Sequence, residues 1–151
     1  MLETGDPAPD FYLPAADNPD AEYMLSAAAD AGPVVLAFVP GDESAGRLLL
    51  EALAGVDWAR LVDRVAVFGV GTDPDVTARL AEGLPFPVLY DRGGYVTDLY
   101  GITRGDAEPR RAVVVADPRC VIRFAWSASG PDDREPSDEL RSAVVEAAER
   151  P

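Results

Sequence analysis

Apolar residues fall along the chain in short blocks that alternate between two periods. The runs 34–39 and 65–70 are almost wholly apolar and rich in Val, and the first is bounded by Pro33 and by Pro40-Gly41. Runs of this kind predict strands buried on both faces of a sheet. Between them, Leu48, Leu49, Ala52, Leu53 and Val56 recur at helical spacing, and Ser44 stands where a hydroxyl would cap the first free backbone N–H groups. A second helix is predicted after residue 70, capped by Thr72 or Asp73, with Pro74 at its first position and Gly83 just past its end. Residues 87–90 then predict a third strand, and residues 96–100 a short helical turn.

Both ends of the chain read differently. Pro7, Pro9, Pro14 and Pro19 preclude a long helix in the first 30 residues, where only 11–13 reads as a short edge strand. The runs 112–116 and 121–126 flank Asp117-Pro-Arg-Cys120 and predict a β-hairpin. An acidic loop over 130–136 leads to a last helix capped by Ser137, with Leu140, Val144, Val145 and Ala148 facing inward. Early alternation of strand and helix implies a parallel sheet, and the late hairpin makes it mixed. The expected fold class is α/β: a thioredoxin-like three-layer sandwich with a mixed central β-sheet flanked by helices. No repeat or linker divides the chain, so residues 1–151 are expected to form one domain.

Composition narrows the function. The 27 acidic residues outnumber 13 basic ones, all of them Arg, for a net charge of −14. Nucleic acid and membrane surfaces are therefore not expected partners, since both attract clustered positive charge. A Lys-free, acidic, Ala-rich chain looks like the proteins of salt-loving archaea. No apolar run approaches the roughly 20 residues of a membrane span, and the start lacks the basic flank of a signal peptide, so a cytoplasmic protein is expected. Without His there is no Ser-His-Asp triad, no Cys-His pair and no imidazole metal site; the lone Cys120 excludes an internal disulfide, a C-x-x-C pair and a thiolate zinc site. Asp73 with Asp75, and Asp132 with Asp133, lack EF-hand spacing and read as solvated loops, so neither metal nor cofactor is expected. Ser44 has no base to activate it. Trp58, Trp126, Tyr90 and Tyr100 read as packing residues.

Several segments together resemble one family. Residues 5–11, Gly-Asp-Pro-Ala-Pro-Asp-Phe, are similar to the opening motif of peroxiredoxins of the alkyl hydroperoxide reductase and thiol-specific antioxidant type. Residues 34–40, 67–73 and 85–91, the pair Tyr100-Gly101, and Arg111 six residues before Asp117 resemble later segments of that family, in the same order. The resemblance implies a site in which a cysteine in the first turn of a helix is kept as thiolate by the helix dipole and an arginine. A Ser or Thr three residues earlier bonds the peroxide, and a Pro four residues before that shields it. Pro40, Ser44 and Arg111 match this pattern, but the nucleophile position holds Arg47, whose guanidinium cannot become a nucleophile.

Three readings follow. In the first, the chain is a non-peroxidase relative, a pseudoenzyme kept as a binding, interaction or regulatory module. In the second, Cys120, flanked by Arg119 and Arg123, serves as the thiol of a redox sensor or peroxidase. In the third, Ser44, Arg47 and Arg111 gather at one helix N-terminus and bind an anion; the competing expectation for Arg47 is a surface pair with Asp42, Glu43 or Glu51. A homodimer through exposed sheet edges is implied by family habit, and any protein partner is unnamed.

Overall fold

A computed structural model describes residues 1–39, 41–102, 110–128 and 133–149. Seven strands form one mixed sheet: β1 (Tyr12–Ala15), β2 (Asn18–Met24), β3 (Val34–Phe38), β4 (Ala66–Gly71), β5 (Val88–Tyr90), β6 (Ala112–Ala116) and β7 (Ile122–Ser127). Their order across the sheet is β2-β1-β5-β4-β3-β6-β7. β3 runs parallel to β4 and antiparallel to β6, with Phe38 opposite both Val70 and Ala112. β4 and β5 are parallel, and β6 and β7 form the expected antiparallel hairpin.

The central strands are buried throughout, which is why their sequence shows runs instead of alternation. Val34, Leu36 and Phe38 point to one face with Ala112, Val114 and Ala116; Val35, Ala37 and Val39 point to the other with Val113 and Val115. The first face is covered by Ala8, Phe11, α1 (Leu25–Ala29) and α5 (Tyr95–Leu99) with Tyr100. The second is covered by α2 (Glu43–Ala54), α4 (Pro74–Ala81) and α6 (Ser137–Glu149), while the short α3 (Trp58–Leu61) lies beside α6 with Trp58 against the same core. Helices on both faces of a mixed sheet make the three-layer thioredoxin-like sandwich that the pattern predicts. No helix among the described residues is long and apolar enough to cross a membrane.

The structure corrects several local expectations. β1 is an inner strand, and the edge is β2, unforeseen because its residues are mostly exposed and include Pro19, which only an edge strand tolerates. α1 was hidden in a short Ala-rich stretch with no side-chain cap. Asp42, not Ser44, caps α2, and Asp73 caps α4, each accepting two backbone N–H bonds. Leu140 N–H bonds to the Pro136 carbonyl, so the cap position of α6 falls to Pro136 and Ser137 lies inside the helix. Both long helices sit rotated from the predicted phase. α2 buries Gly46, Leu49, Leu50 and Leu53 and leaves Leu48 and Ala52 exposed; α6 buries Leu140, Ala143, Val144 and Ala147 and leaves Val145 and Ala148 only half-covered.

Candidate functional site

The family-like positions meet at one end of the sheet. β3 ends at Phe38, and Val39 still bonds to the Val70 carbonyl at 2.9 Å before the chain turns into α2. Arg111 immediately precedes β6, whose Ala112 pairs with Phe38, so antiparallel register brings it to the same end of the sheet as the start of α2. It is buried, at 4% exposure, and its carbonyl accepts the Ala128 N–H at 2.8 Å. Pro40 lies outside the described residues.

α2 begins earlier than the resemblance implies. The Asp42 carboxylate accepts from Ser44 N at 3.0 Å and Ala45 N at 3.4 Å, filling the helix N-terminus with the chain's own anion. Arg47 is the fifth residue of α2, past the first turn and its unbonded N–H groups. The helix is seated by Gly46, where a Cβ would come within 3.1 Å of Val39 Cβ and 3.2 Å of Leu80 Cδ1. That close seat turns Ser44 outward, exposed, and leaves Arg47 39% exposed.

Arg47 Nη2 donates to Glu43 Oε2 at 3.0 Å, and the other oxygen of Glu43 accepts from Arg79 Nε of α4 at 2.6 Å. The bond from Arg79, then that from Arg47, holds the Glu43 carboxyl below its ordinary range. The surface hollow here is lined by Glu43, Ser44, Arg47, Leu48 and Glu51, and the guanidinium that an anion would need is already bonded to Glu43. The helix N-terminus is thus held by Asp42 and the Arg47 guanidinium by Glu43. The i,i+4 spacing of Glu43 and Arg47 signals their pair in the sequence; Arg79 arrives from another helix and carries no such signal. Asp42→Ala should lower stability by about 1 kcal/mol, read as a lower urea midpoint at unchanged slope.

Cys120 lies at the other end of the sheet. Val34 pairs with Ala116 and Phe38 with Ala112, so the length of β3, roughly 14 Å at strand rise, separates the hairpin turn holding Cys120 from the start of α2. The turn has Cys120 in left-handed backbone, φ 60°, a conformation more often given to Gly. The thiol is half-buried against the first core face. Burial pushes it up from the ordinary thiol range, and the charges of Asp10 and Asp117 push the same way. Arg123, one of the two arginines near it in sequence, is bonded through Nε to Asp117 Oδ2 at 2.8 Å. Among the described residues, no group of three or more His, Cys, Asp or Glu could hold a metal.

A thioredoxin-like sandwich with a β3–α2 turn and a buried arginine at the same sheet end is the scaffold of a peroxiredoxin. The chain belongs to the AhpC/TSA family, which it matches over residues 4–125. The selenocysteine-containing peroxiredoxin PrxU of Peptoclostridium acidaminophilum is 29% identical over 153 residues, covering 93% of this chain and 75% of that protein. Among solved structures, a reduced 2-Cys peroxiredoxin of Plasmodium vivax superposes with a TM-score of 0.79 at 20% identity, over 95% of this chain and 81% of its own. Peroxidoxin BcpB of Mycobacterium tuberculosis gives 0.77 at 24% identity, over 95% and 97%. At such identities the two structures establish the shared fold.

Proposed function

We propose that this chain is a family member without peroxidase activity, in which the scaffold serves as a binding or regulatory module. The observation that carries this reading is Arg47: it occupies the nucleophile position and is tied to Glu43, while the one thiol sits at the opposite end of the sheet with its pKa raised. A nucleophilic cysteine needs a lowered pKa and a positive surround, and Cys120 has neither. An edge-to-edge homodimer belongs to the same reading. β7 is the better edge for it, because β2 carries Pro19 and its residues are mostly exposed.

The test is the rate at which hydrogen peroxide oxidises the purified protein, followed by intact mass, with Cys120→Ser as control. Oxidation no faster than that of free cysteine at the same pH is expected. A fast reaction that disappears in Cys120→Ser would replace this reading with a thiol-dependent redox protein working through Cys120. A fast peroxide turnover that persists in Cys120→Ser would overturn it altogether.

A further inference from the structure

The described residues line a cleft away from the turn into α2. It opens between β1 and the chain after β5, with a volume of about 540 Å³, and its walls include Tyr12, Tyr90, Tyr95, Arg92, Asp10 and Asp91. The backbone explains why it opens. β1 pairs with β5 only at Ala15 and Leu89, followed by a bond from Ala16 N–H to the Val88 carbonyl at 2.8 Å. Two residues back along the same edge, Pro14 faces β5 with no N–H to give. Between Arg92 and Tyr95, which both line the cleft, Gly93 and Gly94 take left-handed φ values of 75° and 73° and swing the chain into α5. The two strands therefore part where they would otherwise pair further.

The parting leaves apolar surface uncovered. Tyr12 is 59% and Tyr95 69% exposed, and both line the cleft. A concave, ring-lined surface of this kind favours a small organic ligand. The polar groups decide which. Asp10 already accepts from Phe11 N, Ser26 N and Ser26 Oγ, and Asp91 from Val96 N, Thr97 N and Thr97 Oγ1. These six donors leave the two carboxylates little capacity for an incoming group. Arg92 is exposed and has no hydrogen-bond or ion-pair partner among the described residues. The overall charge of −14 disfavours anions at long range, but that field is screened within about 10 Å at 0.1 M salt, whereas contact with a guanidinium is not.

The geometry points to a binding site for a small planar aromatic anion, its ring held by Tyr12 and Tyr95 and its charge by Arg92. The site shares no residue with the turn into α2, and its proposed contacts, Tyr12, Tyr95 and Arg92, are not those that set the Cys120 environment.

The test uses fluorescence of two probes of matched shape on the full chain: 8-anilinonaphthalene-1-sulfonate, an anion, and N-phenyl-1-naphthylamine, which is neutral. Saturable binding of one sulfonate per chain is expected, with the neutral probe weaker. Tyr95→Ala should weaken the sulfonate about tenfold, and Tyr12→Ala comparably. Arg92→Gln should weaken the sulfonate about fivefold and leave the neutral probe unchanged. All three residues are exposed, so the fold should survive, which circular dichroism checks. Sulfonate binding indifferent to Tyr12→Ala and Tyr95→Ala would overturn the proposal, as would equal binding of both probes. So would a dimer in sedimentation that Tyr95→Ala splits, because the cleft would then belong to a second copy of the chain.

Discussion

Tyr100→Ala is expected to lower the stability of the chain by about 3–5 kcal/mol, among the costliest single truncations in the molecule. Tyr100 heads the large side chains that are wholly buried. Its ring meets Phe38 at 5.3 Å between centroids, tilted by 44°, and so ties the helical cover of one core face to the central strand. Its hydroxyl donates to the Pro9 carbonyl at 2.7 Å, which fastens the N-terminal segment across the same face. Burial, with the nearby Cys120 and Asp10, raises the phenol pKa, so it stays a donor throughout the working range. Removing the ring leaves a cavity that the surrounding Val, Leu and Phe side chains cannot close. Tyr100→Phe keeps the ring and loses only the bond to Pro9, for about 1 kcal/mol. Since a domain of this size has roughly 5–15 kcal/mol in total, Tyr100→Ala should take about a fifth or more of it. Urea unfolding checks both values, and equal losses for the two variants would mean that the hydroxyl, not the ring, carries the effect.

The second large effect is at Asp117, whose side chain is fully buried at the β6–β7 turn. It accepts from Arg119 N at 2.9 Å, Val121 N at 3.0 Å and Arg123 Nε at 2.8 Å. Asp117→Ala should cost about 2–3 kcal/mol, because two backbone donors and one guanidinium lose their acceptor together. The arginine is a third exposed and recovers part of its share from water. Burial alone would push this carboxyl up, but the bonds from Val121, Arg123 and Arg119 outweigh it and hold it below the ordinary range. The folded pKa is thus lower than the unfolded value of about 3.9, so the stabilisation is complete above pH 4 and is lost as pH falls through the folded value. Asp10 titrates in the same direction: partial burial raises it, and hydrogen bonds from Ser26 and Phe11 overcome that. Asp117→Asn should therefore lower stability at neutral pH and flatten its decline below pH 4. A decline as steep as that of the parent would show that other carboxylates govern acid unfolding.

How much of this was written in the chain depends on what kind of information each feature needs. The central strands were legible because burial on both faces leaves an unbroken apolar run, and local composition suffices to show it. The missing nucleophile was equally legible: Arg47 sits three residues after Ser44, and no cysteine precedes Cys120. The cap of α4 was nearly so, since Asp73 is followed directly by Pro74.

Other features were decided elsewhere. Leu48, Leu49 and Leu50 are consecutive, so a helix must expose one of them, and periodicity alone does not say which. The contact of Gly46 with Val39 and Leu80 settles it by pressing that side of α2 against the sheet and α4, which turns Leu48 outward. β2 escaped notice because an edge strand buries little and so has no strong pattern to show.

What the sequence determined by itself is the burial of the central strands and the residue types at the family-like positions. What only the tertiary structure decided is which of those residues meet. Arg79 reaches Glu43 from another helix, Cys120 is held a strand's length from the start of α2, and Tyr12 and Tyr95 come to line one open cleft. Local periodicity reports how deeply a segment is buried, whereas distances between remote segments are set by strand register and helix seating, which arise only when the whole core packs at once.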